Sequence, residues 1–356
     1  MKDVKRYRIA VVEGDGIGME VTPAAISAIE GAARRIGFGF EWKPFPWGSQ
    51  YYFDNGRMMA DDALDQLRPF DAILFGAVGH PRIQDNVTLN GLLLPIRRGF
   101  DQYACVRPAI LYPGVRSPLV GRHGGDIDFV VIRENTEGEY SQVGGVAHSS
   151  GPHEVAIQSS VFTRHGTERV IRFAFDLARR RNGKKLVTSV TKSNAQGFSM
   201  AFWDRVFADV ARDYADIRTE SLLVDAACMD LVRRPVDFDV MVASNLFGDI
   251  LTDLSAAITG SLGLAPSANL NPARTFPSMF EPVHGSAPDI AGKGIANPMA
   301  TMLAGAMMLD FLGEPAAAAN LDRAVRAVLA KGVDLPPDLG GAGTTRTVTD
   351  AVLSQL

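Results

Sequence analysis

The chain has 356 residues, 46% of them hydrophobic and 21% charged, with a formal net charge of −4. That length holds one large domain or two interlocked ones, and no basic stripe offers itself to a nucleic acid. Cys105 and Cys228 make neither a disulfide framework nor a C-x-x-C metal site. No signal peptide precedes the first strand, and no uncharged apolar run reaches about 18 residues, so a cytoplasmic protein without a membrane partner is expected.

Strand and helix patterns alternate along the chain. Residues 9–12 read as a strand, 18–36 as a helix, 40–45 as a strand, 61–67 as a short helix and 72–75 (AILF) as a buried strand. This rhythm predicts an α/β protein with a largely parallel sheet. Residues 129–133 (FVVIR) read as another buried strand. Residues 142–160, rich in Gly, Ser and His before alternating at 154–157, predict an extended arm or hairpin. The helix at 165–181 ends in Arg179, Arg180 and Arg181, read as a solvated C-terminus that complements the helix dipole. Strand 185–190, helix 195–213, strand 219–224, helix 226–233, strand 239–243 and helix 249–260 follow. Gly- and Pro-rich loops fill 263–298, where ligands are expected. Helices at 298–312, 316–331 and near 347–355 close the chain.

Several residue patterns bear on chemistry. Asp249 and Asp253 are four residues apart on one helix face, with no cation within four residues of either. They read as acids complementing a helix N-terminus, or as ligands of a hard divalent ion such as Mg2+ or Mn2+. Asp225, at the end of strand 219–224, is a further site residue or an N-cap. Lys192 leaves a buried strand in Val190-Thr191-Lys192-Ser193-Asn194. It is a surface lysine or, where desolvated, a general base. Arg97, Arg107 and Arg133 are carboxylate forks or salt-bridge partners. Tyr140 is a proton donor or an anchor for the arm.

Gly14-Asp15-Gly16-Ile17-Gly18 follows the first strand, but Met19 stands where the third glycine of a dinucleotide fingerprint belongs, so a Rossmann site is not expected. In the second small-residue loop, 281–298, a ligand can approach the backbone, and Asp289 is a candidate acceptor from ribose hydroxyls.

The chain resembles the metal-dependent β-decarboxylating dehydrogenases, the family of isocitrate, 3-isopropylmalate, tartrate and D-malate dehydrogenases. The resemblance runs through GDGIGMEV (14–21), FDQYACVRP (100–108), VIRENTEGEY (131–140), VTKSN (190–194), NLFGDILTDLSAAITGSLGLAPSANL (245–270) and FEPVHGSAPDIAGKGIANP (280–298). It is nearest the tartrate/D-malate branch through Trp47-Gly48-Ser49-Gln50-Tyr51-Tyr52, Phe100-Asp101-Gln102-Tyr103 and the stretch 269–278. The resemblance implies an isocitrate/isopropylmalate dehydrogenase-like α/β fold, not a Rossmann fold, in which two domains share a continuous mixed sheet. Residues 1–102 plus 261–356 would form the cofactor side. Residues 103–260 would serve substrate binding and dimerisation, with an arm near 141–160 clasping the partner.

The same resemblance implies that Arg97, Arg107 and Arg133 hold substrate carboxylates and that Asp225, Asp249 and Asp253 bind Mg2+ or Mn2+. Tyr140 and Lys192 are the implied catalytic residues. Lys192 and Asp225 would serve a neighbouring subunit, hence an obligate homodimer with shared active sites. His284, Gly285, Ser286, Ala287, Asp289 and Asn297 would hold NAD, and K+ is a further candidate ion. The implied reaction is oxidation and decarboxylation of D-malate to pyruvate and CO2, with tartrate oxidation alongside. A non-catalytic regulatory subunit would have lost catalytic groups, and here all of these residues are present. Three positions depart from the family pattern: Glu13 stands for proline, Asn90 for tryptophan and Cys105 for asparagine. Leu92, Leu93 and Leu94 form an apolar stretch suited to an isopropyl group. That keeps 3-isopropylmalate dehydrogenase as the alternative.

Overall fold

A computed structural model describes residues 5–356; residues 1–4, the start of the charged N-terminal stretch, lie outside the described residues. The strands are β1 (Arg6–Gly14), β2 (Gly39–Pro44), β3 (Ala72–Ala77), β4 (Ala104–Ile110), β5 (Asp128–Glu134), β6 (Gly138–Ala147), β7 (Val155–Val161), β8 (Leu186–Thr191), β9 (Arg218–Leu223), β10 (Val240–Ala243), β11 (Pro266–Leu270) and β12 (Ser278–Pro282). Ten of them form a mixed sheet in the order β2-β1-β3-β12-β11-β4-β5-β10-β8-β9. The chain divides into two compact units, and β4 gives its first residues to one and its last to the other.

The first unit comprises residues up to Gln102, then 107–127 and 255–356. Here β1 runs parallel to β2 and β3, β3 parallel to β12, and β12 antiparallel to β11. Every residue of β3 is buried, as expected of a parallel strand covered on both faces. The helix Gly18–Ile36 buries Val21, Ala25, Ala28, Ile29 and Ala32, the spacing of one helical face. A core cluster joins Phe45, Trp47, Phe75, Leu92, Ile96 and Phe100, and each such large side chain contributes about 1.5–3 kcal/mol by leaving water.

The second unit comprises residues 103–106 and 128–254. In it β10 runs parallel to β5 and β8, and β8 parallel to β9. The buried Trp203 donates from Nε1 to Ser189 Oγ at 3.0 Å, tying the helix Ser199–Ala211 to β8. β6 and β7 form a separate antiparallel hairpin, the expected arm. Among the described residues no helix is long and apolar enough to cross a membrane.

Several elements differ from the sequence reading. The stretch 263–298 is not all loop, because it carries β11 and β12. These strands are short and rich in Pro, Ser and Asn, so neither shows an alternating pattern. The helix expected at 249–260 begins at Asn245 and ends at Ile258, and Gly248 lies inside it. Asp225 sits in the first turn of the helix Val224–Arg233, since β9 ends at Leu223. The helix expected from 195 starts at Ser199, after a turn in which Ala195 and Gln196 donate to Lys192 O.

The arginine run at 179–181 also differs. Arg179 pairs with Asp216, and Arg181 donates from Nε to Asp239 Oδ1 at 3.0 Å and from Nη2 to Asp128 Oδ1 at 2.9 Å. The Asp239 side chain is only 2% exposed. Removing one partner of a buried pair leaves an uncompensated charge and costs on the order of 3–5 kcal/mol. Arg181→Met should therefore lower the urea midpoint substantially, whereas Arg180→Met, a surface change, should stay within about 0.5 kcal/mol of wild type. Equal midpoints for the two variants would remove this role from Arg181.

Candidate active site

In the second unit, β5 delivers Arg133 to its C-terminal end, where the side chain is 2% exposed. Its Nε and Nη2 donate to Asn245 Oδ1 at 3.0 and 2.7 Å, and its Nη1 donates to Asp249 Oδ1. Asn245 and Asp249 lie one turn apart on the helix Asn245–Ile258 and so face the same way. Gly248 lets that helix come close: a Cβ there would lie 2.6 Å from both Cβ and Cγ of Arg133. Tyr140 donates from its hydroxyl to Asp249 Oδ2 at 2.8 Å, and its ring lies 5.2 Å from the Arg133 guanidinium. Arg133, Tyr140 and Asp249 are thus brought together. Asp253, one turn further along, is exposed.

The chain between β5 and β6 is held by its own acids. Glu134, fully buried, accepts from Thr136 N at 2.9 Å, Thr136 Oγ1 at 2.8 Å and Glu137 N at 3.0 Å. Burial pushes its carboxyl above the usual carboxylate range, and those donors oppose the shift. Glu139 accepts from Ser244 Oγ at 2.7 Å and from Leu246 N at 3.1 Å.

Lys192 and Asp225 form a separate pair, Nζ to Oδ1 at 2.5 Å, with side chains 27% and 63% exposed. The Lys192 ammonium holds the Asp225 carboxyl below its ordinary value. Among the described residues of one chain, no three His, Cys, Asp or Glu side chains come together as a metal site. Asp225 is therefore not brought to Asp249 and Asp253 within the chain. The three carboxylates have the hard-oxygen chemistry that Mg2+ or Mn2+ takes, but among the described residues one chain does not bring all three together.

In the first unit Arg97 is 3% exposed and donates from Nη2 to Glu281 Oε1 at 2.7 Å, an oxygen that also accepts from Asn269 Nδ2 at 2.8 Å. Its Nε is buried with no hydrogen-bond partner. Arg107 donates from Nε to Ser267 Oγ at 3.3 Å. Leu92 belongs to the core cluster, Leu93 packs against it and Leu94 is 1% exposed. Leu92 and Leu94 are thus held in the interior, and Leu93 alone of the stretch stays partly exposed. Cys105 is fully buried in β4.

The loop expected to bind cofactor is also in the first unit. Ser286 O accepts from Ile17 N at 2.9 Å, and a Cβ on Gly16 would lie 2.1 Å from that oxygen, so the glycine permits loop-on-loop packing. Glu20 accepts from Gly292 N at 2.6 Å and Gly294 N at 3.0 Å. Gly285 and Asp289 are exposed, and Ala287 has a φ of 41°. Asn297 donates to Asp338 Oδ2 at 3.0 Å and accepts from Met299 N at 3.0 Å. His284 Nδ1 lies 3.0 Å from Gly285 O. Its Nε2 is sealed from solvent without a partner, although the residue as a whole is part exposed.

Sequence reasoning missed Asn245, Glu281, Asn269, Ser267 and Glu139. Asn245 had a visible signal, since it directly follows Ser244 at the exit of a buried strand. Glu281 and Ser267 have arginine partners, and Glu139 a serine partner, more than a hundred positions away in sequence, and Asn269 reaches the same Glu281.

The model of the isocitrate/isopropylmalate dehydrogenase family matches residues 8–352. The chain is 52% identical over 356 residues to the D-malate dehydrogenase [decarboxylating] of Escherichia coli (strain K12), covering 98% of each. It is 49% identical over 358 residues to the tartrate dehydrogenase/decarboxylase of Pseudomonas putida, again covering 98% of each. The crystal structure of isocitrate dehydrogenase from Methylococcus capsulatus superposes with a TM-score of 0.89 at 36% identity, covering 98% of this chain and 99% of that one.

Burial pushes the His284 imidazole below its ordinary value of about 6.5. The unfolded chain then binds the proton more readily than the folded one, so stability rises with pH across that interval. The contribution is full above about 6.5 and is lost as pH falls from there through the folded value. His284→Gln should flatten this part of the stability curve in melts between about pH 5 and 8. An unchanged curve would move the titration elsewhere.

Proposed function

The chain belongs to the isocitrate/isopropylmalate dehydrogenase family, and we propose that it is an NAD- and divalent-metal-dependent oxidoreductase that converts D-malate to pyruvate and CO2 and also oxidises tartrate. The observation that carries the reading is the buried Arg133, fixed by Asn245, beside an Asp249 whose second oxygen holds the Tyr140 hydroxyl. A carboxylate-binding fork, a metal-type ligand and a proton donor are thereby preorganised in one cluster. The names of the relatives at about half identity support this substrate class. The same names weigh against the leucine-biosynthesis alternative.

In this reading Arg97, Arg107 and Arg133 bind the substrate carboxylates. Asp249 and Asp253 of one chain and Asp225 of a second chain would hold the ion, and Lys192 would come with Asp225. When bound, NAD+ would supply the hydride acceptor for C2, and Mg2+ or Mn2+ would supply Lewis acidity toward the C2 oxygen. Lys192 removes the proton of the C2 hydroxyl, directly or through hydroxyl groups. Tyr140 returns a proton to the carbon that has lost CO2. Asp289, exposed on its loop, would accept from the ribose hydroxyls and repel the 2′-phosphate of NADP+. The hairpin of β6 and β7 exposes Val143, Val146, Val155 and Ile157, an apolar surface suited to clasping a second copy.

Two measurements test this. Initial rates with NAD+ and Mn2+ should rank D-malate and the tartrates above 3-isopropylmalate and isocitrate, and a strong preference for 3-isopropylmalate would overturn the substrate assignment. Lys192→Ala and Asp249→Asn chains should each be inactive alone. Coexpressed, they should regain roughly a quarter of wild-type activity, since half of random dimers are mixed and each has one whole site. No regain would sink the shared-site dimer.

A further inference from the structure

A cavity of about 560 Å³ opens in the first unit beside Glu13, at the end of β1. No step of the proposed reaction uses it. Phe45, Trp47, Tyr51, Met19 and Asp54 also line it, and no basic side chain does. Phe45 and Trp47 are buried, with ring centroids 4.6 Å apart. The cavity wall is tied down: Ser49, which opens the helix Ser49–Asn55 carrying Tyr51 and Asp54, donates from N and Oγ to Asp15 at 2.7 and 2.6 Å. Asp54 accepts from Gln50 Nε2 at 3.0 Å.

Glu13 is different. It is half-buried and makes no side-chain hydrogen bond or ion pair among the described residues. Burial pushes its carboxyl above the ordinary range with no donor or cation opposing the shift. Nothing in the fold uses this charge. A carboxylate left without a partner in an apolar recess is unfavourable, and it is also one of the positions where the chain departs from the family pattern. Aromatic faces together with a carboxylate form the surroundings that recognise organic ammonium ions. The cavity volume falls in the range of small-molecule sites.

We propose that this cavity binds a small organic ammonium ion carrying an apolar group, with the cationic head at Glu13 and the apolar group against Trp47 and Tyr51. Such a ligand supplies the missing partner of Glu13 and covers the partly exposed Tyr51 ring in one step.

Calorimetric titration of the full chain with benzylammonium, and separately with benzyl alcohol as its uncharged counterpart, tests the proposal. Benzylammonium should bind saturably, one per chain, and at least about tenfold more tightly than the alcohol. Glu13→Gln should erase that difference while keeping the wild-type circular dichroism spectrum. Met19→Trp, which narrows the cavity without touching the charge, should weaken both ligands. No saturable binding, equal affinity for the two ligands, or a Glu13→Gln variant that still prefers the cation would overturn it.

Discussion

Arg133 carries a positive charge to the end of β5 and leaves almost none of it in water. Withdrawing a guanidinium from solvent costs on the order of several kcal/mol unless its donors meet acceptors of good geometry. Asn245 takes two donors with one oxygen, and Asp249 takes a third. That requirement fixes how the helix Asn245–Ile258 is placed against β5, since the two acceptors stand one turn apart and both must face the strand. Gly248 falls between them on the side where Arg133 passes, and a side chain there would occupy the space of the arginine stem. A charged strand end, a helix face and a missing side chain are one arrangement, and changing any of them moves the other two.

The acidic stretch that follows β5 works in the same way. Glu134 and Glu139 direct their carboxylates to backbone N–H and hydroxyl donors of nearby chain. Glu137 does the same for Thr163, the N-cap of the helix Arg164–Arg181. These charges are a scaffold. Their product is the position of Tyr140, whose hydroxyl reaches Asp249. Orientation of a donor by a rigid surround is what makes a proton transfer efficient, because no reorganisation is then needed at the moment of reaction.

The parts of this arrangement that sequence patterns revealed are those with a local period. β3 and β10 are continuous apolar runs, and the helix Gly18–Ile36 repeats its buried face every three or four residues. Arg133, Asp249 and Tyr140, singled out by residue type and motif context, come together in the structure. β11 and β12 were not, because five-residue strands containing Pro, Ser and Asn carry no alternation and gain their stability from burial against neighbours. Arg181 looked like part of a solvated cluster because its partners, Asp128 and Asp239, lie more than fifty residues away. Apolar composition alone did not show that Leu92 and Leu94 are buried while Leu93 is partly exposed. In each case the missing information was a contact distant in sequence.

One feature of the chain makes little sense as fold stabilisation. The Lys192–Asp225 pair is well formed yet largely open to solvent, and exposed pairs of this kind contribute about 0–1 kcal/mol. The hairpin of β6 and β7 is equally uneconomical in isolation, since two strands alone are marginal in water and this pair exposes valine and isoleucine. Both become intelligible on a single premise, that a second copy covers them. Covering the hairpin removes apolar surface from water, and excluding water around the Lys192–Asp225 pair strengthens its interaction with neighbouring charge. Asp225 lies apart from Asp249 and Asp253 among the described residues, and on the same premise carboxylates around one cation would not need to share a chain. Chemistry and association are in that case one requirement: the chain would become a complete catalyst only where its exposed charges and its exposed arm are both taken up.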